Sequence, residues 1–243
     1  GEWCTARVAG PLGAPVDAGF GLVRADRLND AVRARFAADG FCPGGGDRLA
    51  VIEMAAASGL ALVNAGERDV WRSHTGGTGE LIAAAVARGA AGVLLGVGGS
   101  ATHDLGLGAL GALGAVFENG EGNRVALPVP AVWAEIARMD VTGMLKMPPV
   151  FIACDVTNPL YGETGAAKIY GPQKGASPDE VEQRRIGKNG VLSCGYGIGA
   201  EGFYRRFCRH VEGGKELAAK IVAVYRSTWA PTVPHLGRDL ERT

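Results

Sequence analysis

Ala91-Gly-Val-Leu-Leu-Gly-Val97, followed by Gly98-Gly-Ser-Ala-Thr-His-Asp104, is the stretch whose reading decides the fold. The apolar run is rich in branched residues and flanked by glycines, which predicts a strand buried on both faces, the signature of a parallel sheet. Gly98 and Gly99 then turn the backbone tightly, and Ser100, Thr102, His103 and Asp104 stand where the strand ends and a helix is expected to begin. Ligands gather at the carboxyl ends of strands in open parallel sheets, and helix starts attract anions. A second reading of the same residues is open. Gly96-Val-Gly-Gly-Ser-Ala101 satisfies the loose dinucleotide fingerprint, with Glu118 at a suitable distance after the apolar stretch Leu110 to Phe117.

Working outward, short strands and helices alternate. Thr5 to Val8 and Val16 to Val23 are expected to pair as an antiparallel edge around Gly10-Pro-Leu-Gly13, and a helical piece over Leu28 to Phe36 leads into the glycine-rich loop Asp39 to Gly46, read as a surface insertion. Leu49 to Glu53 is a strand, with a short helix from Met54 ended by Gly59. Thr78 is expected to cap a helix over Glu80 to Arg88 that feeds the central strand. Past the turn Glu118 to Asn123, a helical stretch begins at Pro128 to Val132 and ends near Met139. Pro149 to Cys154 repeats the central pattern, a buried strand followed at once by the polar Asp155, Thr157 and Asn158. Lys174 lies between turn-forming residues in Tyr170-Gly-Pro-Gln-Lys-Gly-Ala176. Together these predict an α/β fold, with a parallel or mixed sheet covered by helices.

The chain of 243 residues is 47% hydrophobic with 39 glycines, which suits tight strand-helix connections, and its formal net charge is zero, which argues against a nucleic-acid partner. The balance hides an asymmetry. Residues 183–243 hold 11 Lys and Arg against 5 acids, so the organisation divides into an α/β region over residues 1–182 and a basic segment over residues 183–243, with one helix expected at Lys215 to Tyr225. Five cysteines without a Cys-x-x-Cys pair give no zinc or redox motif. No run approaches a membrane span and no signal core is present, so the expected location is the cytoplasm.

Three segments together resemble the bacterial glycerate kinase family: His74-Thr-Gly-Gly-Thr-Gly-Glu-Leu-Ile82, Gly96-Val-Gly-Gly-Ser-Ala-Thr-His-Asp104, and Ala153-Cys-Asp-Val-Thr-Asn-Pro-Leu160 continuing to Tyr170–Ala176. With Ala50 to Leu60 the resemblance covers residues 5–182. It implies transfer of the ATP γ-phosphate to D-glycerate, at the 2-hydroxyl, with magnesium. By analogy, Thr78, Gly98, Gly99, Ser100, Thr102 and Asn158 would bind substrate or phosphate. Asp104 and Asp155 would accept the hydroxyl proton or, Asp155 above all, hold the metal ion, and Lys174 would meet the transferring phosphate. The family usually has asparagine and glycine where this chain has His103 and Leu105, and its first and last segments have no counterpart here. A substrate-binding relative without turnover is therefore the alternative, and the dinucleotide reading is third. Arg184, Lys188 and Tyr196-Gly197 also resemble the fingers helix of phage-type family A DNA polymerases, without that family's acidic metal-binding segments. The partners the kinase resemblance allows are the small-molecule substrate D-glycerate and a second copy of the chain in a homo-oligomer.

Overall fold

The computed structural model describes residues 1–159, 164–178, 201, 204–205, 209 and 213–224. The chain divides into two compact units. The first is Gly1–Thr157 with Gln173–Gly175, and the second is Asn158–Pro172 with Ala176–Thr243.

In the first unit, a five-stranded mixed sheet runs in the order β1 (Glu2–Ala9), β2 (Pro15–Arg24), β3 (Arg48–Glu53), β4 (Ala90–Gly96), β8 (Val150–Ala153). β1 and β2 form the expected antiparallel hairpin, closed by Gly10 N donating to Ala14 O at 2.7 Å, and β2 meets β3 antiparallel. β3, β4 and β8 are parallel. Their carboxyl ends therefore meet at one edge, and the glycine loop issues from the middle strand. α1 (Asp30–Ala38) is capped by Asn29, whose side chain accepts from Val32 N at 2.9 Å. α2 (Ala55–Ser58) is a single turn, and α3 (Gly76–Ala87) packs on the sheet through Leu81, Ile82 and Ala85, all buried with Phe20, Leu22, Ile52 and Val93. α4 is Leu107–Ala112.

Several expectations need correcting. Residues 128–139 are not one helix. A 3-10 turn over Pro130–Glu135 gives way to β7 (Ile136–Asp140), which pairs with β5 (Val116–Asn119), itself paired with β6 (Arg124–Val125), in a separate three-stranded sheet. Pairing along β5, with Arg138 3.2 Å from Glu118 across the strands, outweighs local helix propensity. β8 is a strand, as expected, but not buried on both faces. Among the described residues it is the outermost strand of its sheet, with Phe151 packed on Phe36 (centroids 4.7 Å apart) and Ile152 on the other face 66% exposed. The loop after α1 is more than a surface insertion, because Phe41 packs on Phe151 and lies where a side chain on Gly92 would stand.

The second unit contains α5 (Ala166–Tyr170), and α6 (Gly214–Val224) where the tail helix was expected. The polymerase-like Arg184, Lys188 and Tyr196-Gly197, and the 182/183 boundary, lie outside the described residues. Among the described residues no helix is long and apolar enough to cross a membrane.

Candidate functional site

Beyond β4 the chain does not enter a helix directly. Gly99 takes φ 68°, its carbonyl accepts from Leu60 N at 2.8 Å, Ser100 bridges Gly59, and Ala101 N donates to Ser58 O at 2.9 Å. The loop is thus stapled to the end of α2. Gly98 and Gly99 are exposed, and a side chain on Gly98 would meet open space, so these two glycines leave room for a ligand against the backbone.

Helix α4 starts only at Leu107, so the loop is not a helix mouth. Asp104 fills the gap between them. Its carboxylate is 1% exposed and accepts from Thr75 N (2.7 Å), Thr75 Oγ1 (2.8 Å), Gly108 N (3.1 Å) and Gly106 N (3.2 Å). Thr75 Oγ1 in turn accepts from Ala109 N at 2.9 Å. An internal anion therefore occupies the amino-terminal end of α3. Leu105, next in sequence, sits at φ 55°, in the left-handed region that favours glycine, with its side chain 58% exposed.

α3 begins at Gly76, four residues before the expected start, and Thr78 is not its cap. Thr78 is buried inside the first turn, where its hydroxyl shares a 2.8 Å hydrogen bond with that of Ser58. Glu80 reaches back to accept from Ala9 N at 2.7 Å. Ser58 carried no sequence signal of its own, since a serine in an alanine-rich helical turn reads as filler.

Lys174 is brought to the loop from far along the chain. It closes a 3-10 turn, Pro172–Lys174, and is 9% exposed. Its Nζ donates to Ser100 Oγ and to Thr102 O, each at 2.8 Å. Burial pushes the ammonium down to about 8, against the opposing pull of Asp104. Gln173 O accepts from Arg68 at 3.0 Å, and Gly175, at φ 97°, lies so close to the Arg68 carbonyl that no side chain fits. Asp155 is exposed just past β8. Asn158 belongs to the second unit, where it donates to Thr164 O at 2.8 Å and accepts from Tyr170 Oη at 2.7 Å.

The structure thus gathers Gly98, Gly99, Ser100, Thr102 and Lys174 into one cluster, with Asp104 and Thr78 beneath it as supports. The dinucleotide reading fails on geometry: no helix follows the glycines directly, and Glu118 lies in the other sheet, paired with Arg138.

Comparison with known proteins decides the lineage. The profile of the Glycerate kinase family matches residues 1–187. The chain belongs to the glycerate kinase family. It is 41% identical over 178 residues to the glycerate kinase of Bacillus subtilis (strain 168), covering 72% of this chain and 41% of that one. With the glycerate 2-kinase of Escherichia coli (strain K12) it shares 41% identity over 173 residues, 70% of this chain and 40% of the other. A crystal structure described as "putative glycerate kinase 2" from Salmonella typhimurium LT2 superposes with a TM-score of 0.61 at 33% identity, covering 94% of this chain and 55% of that one. The chain therefore spans about two fifths of the length of the curated relatives it matches.

His74 is a residue the glycerate kinase motif contains but sequence reasoning gave no role. It is 4% exposed, its Nδ1 accepts from Gly76 N at 3.1 Å, and its own N donates to Pro11 O. Burial holds its pKa below 6.5, against the pull of Asp104 and Glu80. The native imidazole stays neutral where the unfolded one takes up a proton, so the unfolded state binds more protons and stability falls as pH drops below about 6.5. In urea titrations from pH 7 to 5, a His74→Gln variant, whose amide accepts from Gly76 without titrating, is expected to lose less stability than the unchanged chain. Equal losses would remove His74 from the acid response.

Proposed function

We propose that this chain carries the phosphate-handling part of a glycerate kinase, which transfers the γ-phosphate of ATP to the 2-hydroxyl of D-glycerate. The observation that supports it best is the juxtaposition of a buried lysine with an open glycine loop at the carboxyl ends of parallel strands. Lys174 Nζ spends two donors on Ser100 and Thr102, and an ammonium has three. Among the described residues the third has no partner and is available to an anionic oxygen. The exposed Gly98 and Gly99 let phosphate or carboxylate approach the backbone closely, and an anion there raises the proton affinity of Lys174, keeping it charged during turnover.

The two aspartates separate by environment. Asp104, saturated by four donors, positions the loop, while Asp155 is open to accept the glycerate hydroxyl proton or to hold magnesium. Magnesium is commonly bound through one or two carboxylates and completes its shell with substrate phosphate oxygens and water, and the exposed Asp155 can supply such a carboxylate. Magnesium bound with ATP would supply charge neutralisation on the phosphates. Asn158, through its bond to Tyr170, is assigned to substrate orientation. The name of the Escherichia coli relative favours the 2-hydroxyl.

The test is coupled detection of ADP with purified chain, ATP, magnesium and D-glycerate. Glycerate-dependent turnover that falls about 100-fold in Asp155→Asn supports the reading. No ADP release, with D-glycerate still binding by calorimetry, favours the substrate-binding alternative. Absence of both turnover and binding rejects the proposal.

A further inference from the structure

Lys174 and Ser100 have a chemistry that phosphate binding does not use. Lys174 is more than nine-tenths buried, and among the described residues it makes no ion pair: its partners are a hydroxyl and a carbonyl. The nearby carboxylate of Asp104, the charged group acting on it, is filled by backbone and threonine donors. Burial brings the neutral amine within reach at about pH 8, and in that form the same two contacts are rearranged. The amine keeps one N–H for the Thr102 carbonyl, an acceptor that demands a donor, and turns its lone pair to Ser100 Oγ, 2.8 Å away. The backbone of Ser100 is held by the bridge to Gly59 and by the flanking bonds to Leu60 and Ser58, and its hydroxyl meets Lys174 Nζ. Next to it lie Gly98 and Gly99, exposed and without side chains.

We propose that Ser100 and Lys174 form a serine–lysine dyad, in which the lysine amine takes the Ser100 proton while the hydroxyl oxygen attacks an activated, uncharged ester. The new bond joins Oγ to the acyl carbon, the bond from that carbon to the leaving alkoxide breaks, and the proton moves from Oγ to Nζ and on to the leaving group. Water then attacks the acyl-serine with Lys174 as base, releasing the carboxylic acid and restoring Ser100. Anionic ligands favour the ammonium and switch this chemistry off, so the acyl donors are neutral. The dyad does not rest on the kinase reading, because it needs neither ATP nor glycerate.

The probe is p-nitrophenyl acetate, with p-nitrophenolate release followed in time and the acetyl group located by peptide mapping. Acetyl on Ser100 is expected, with a rate that rises with pH and levels off above about 8, where Lys174 has lost its proton. Ser100→Ala should remove the acetyl from that peptide. Lys174→Arg retains the cation but never yields a base, and should slow acetylation of Ser100 about 100-fold. Acetyl on Lys174 itself, or an undiminished rate in Lys174→Arg, would overturn the dyad. Should that variant fail to fold, the unchanged chain decides: a rate that follows hydroxide up to pH 10 without levelling rejects it. A chain inert toward ATP and glycerate that still acetylates Ser100 separates this proposal from the kinase reading.

Discussion

Replacing Asp104 by alanine is expected to cost about 3 to 5 kcal/mol of folding stability. Four donors converge on this carboxylate in a place water does not reach, and each buried donor left without a partner costs about 1 to 3 kcal/mol, less whatever relaxation recovers. The loss concentrates where α3 and α4 begin, because Thr75 passes the constraint on to Ala109 through its hydroxyl. Asp104→Asn should lose roughly half as much, since one acceptor oxygen survives and the amide nitrogen faces groups that are themselves donors. Urea titration checks both. A lower midpoint at constant slope is the expected form, and an Asp104→Ala chain within about 1 kcal/mol of the parent would show that the carboxylate does not hold this junction.

Gly77→Ala is expected to destabilise the chain by about 3 kcal/mol or to prevent folding. Alanine is the better helix former by about 1 kcal/mol, so propensity alone predicts a gain. Packing reverses it. A side-chain carbon on Gly77 would overlap the Ala9 carbonyl and stand 3.2 Å from Ala57 Cβ. Helix and strand meet backbone to backbone there, and no rotamer change makes room. Moving Ala9 away would also strain the hydrogen bond its backbone N–H donates to Glu80 Oε2. Gly66→Ala is the matched control, because nothing lies within 4 Å of the added carbon and φ is ordinary. If the two variants unfold at the same urea concentration, the close approach of α3 to β1 does not constrain the fold.

Local pattern carried the parallel core and the loop after β4, because a strand covered on both faces is apolar along its length. It misread β8, whose equally apolar Val150–Ala153 ends the sheet among the described residues and leaves Ile152 exposed: composition reports what a strand tolerates, not which of its faces are covered. It also misplaced the start of α3. Glycines at 76, 77 and 79 look like a helix mouth, yet all three are buried in the first turn, with β1 approaching along Gly77 and α4 along Gly79. The site was legible as residue types. Ser100, Thr102 and Lys174 stood out, but their meeting depends on a contact more than seventy positions long in sequence that no periodicity encodes. Asp104 illustrates the converse, since a carboxylate after a buried strand reads alike whether it faces substrate or four of its own chain's donors.

Lys174 reaches the first unit by an unusual route. The chain leaves that unit after Thr157, spends Asn158–Pro172 in the second, returns for Gln173–Gly175, and departs again. The lysine is thus delivered on a tether, and covalent continuity sets its effective concentration at the glycine loop, of order millimolar for a short flexible connection. Doubling the length of such an excursion costs only about 0.6 kcal/mol in closure entropy. One broken peptide bond within the tether makes the lysine's arrival depend on whatever contacts still hold the two pieces together.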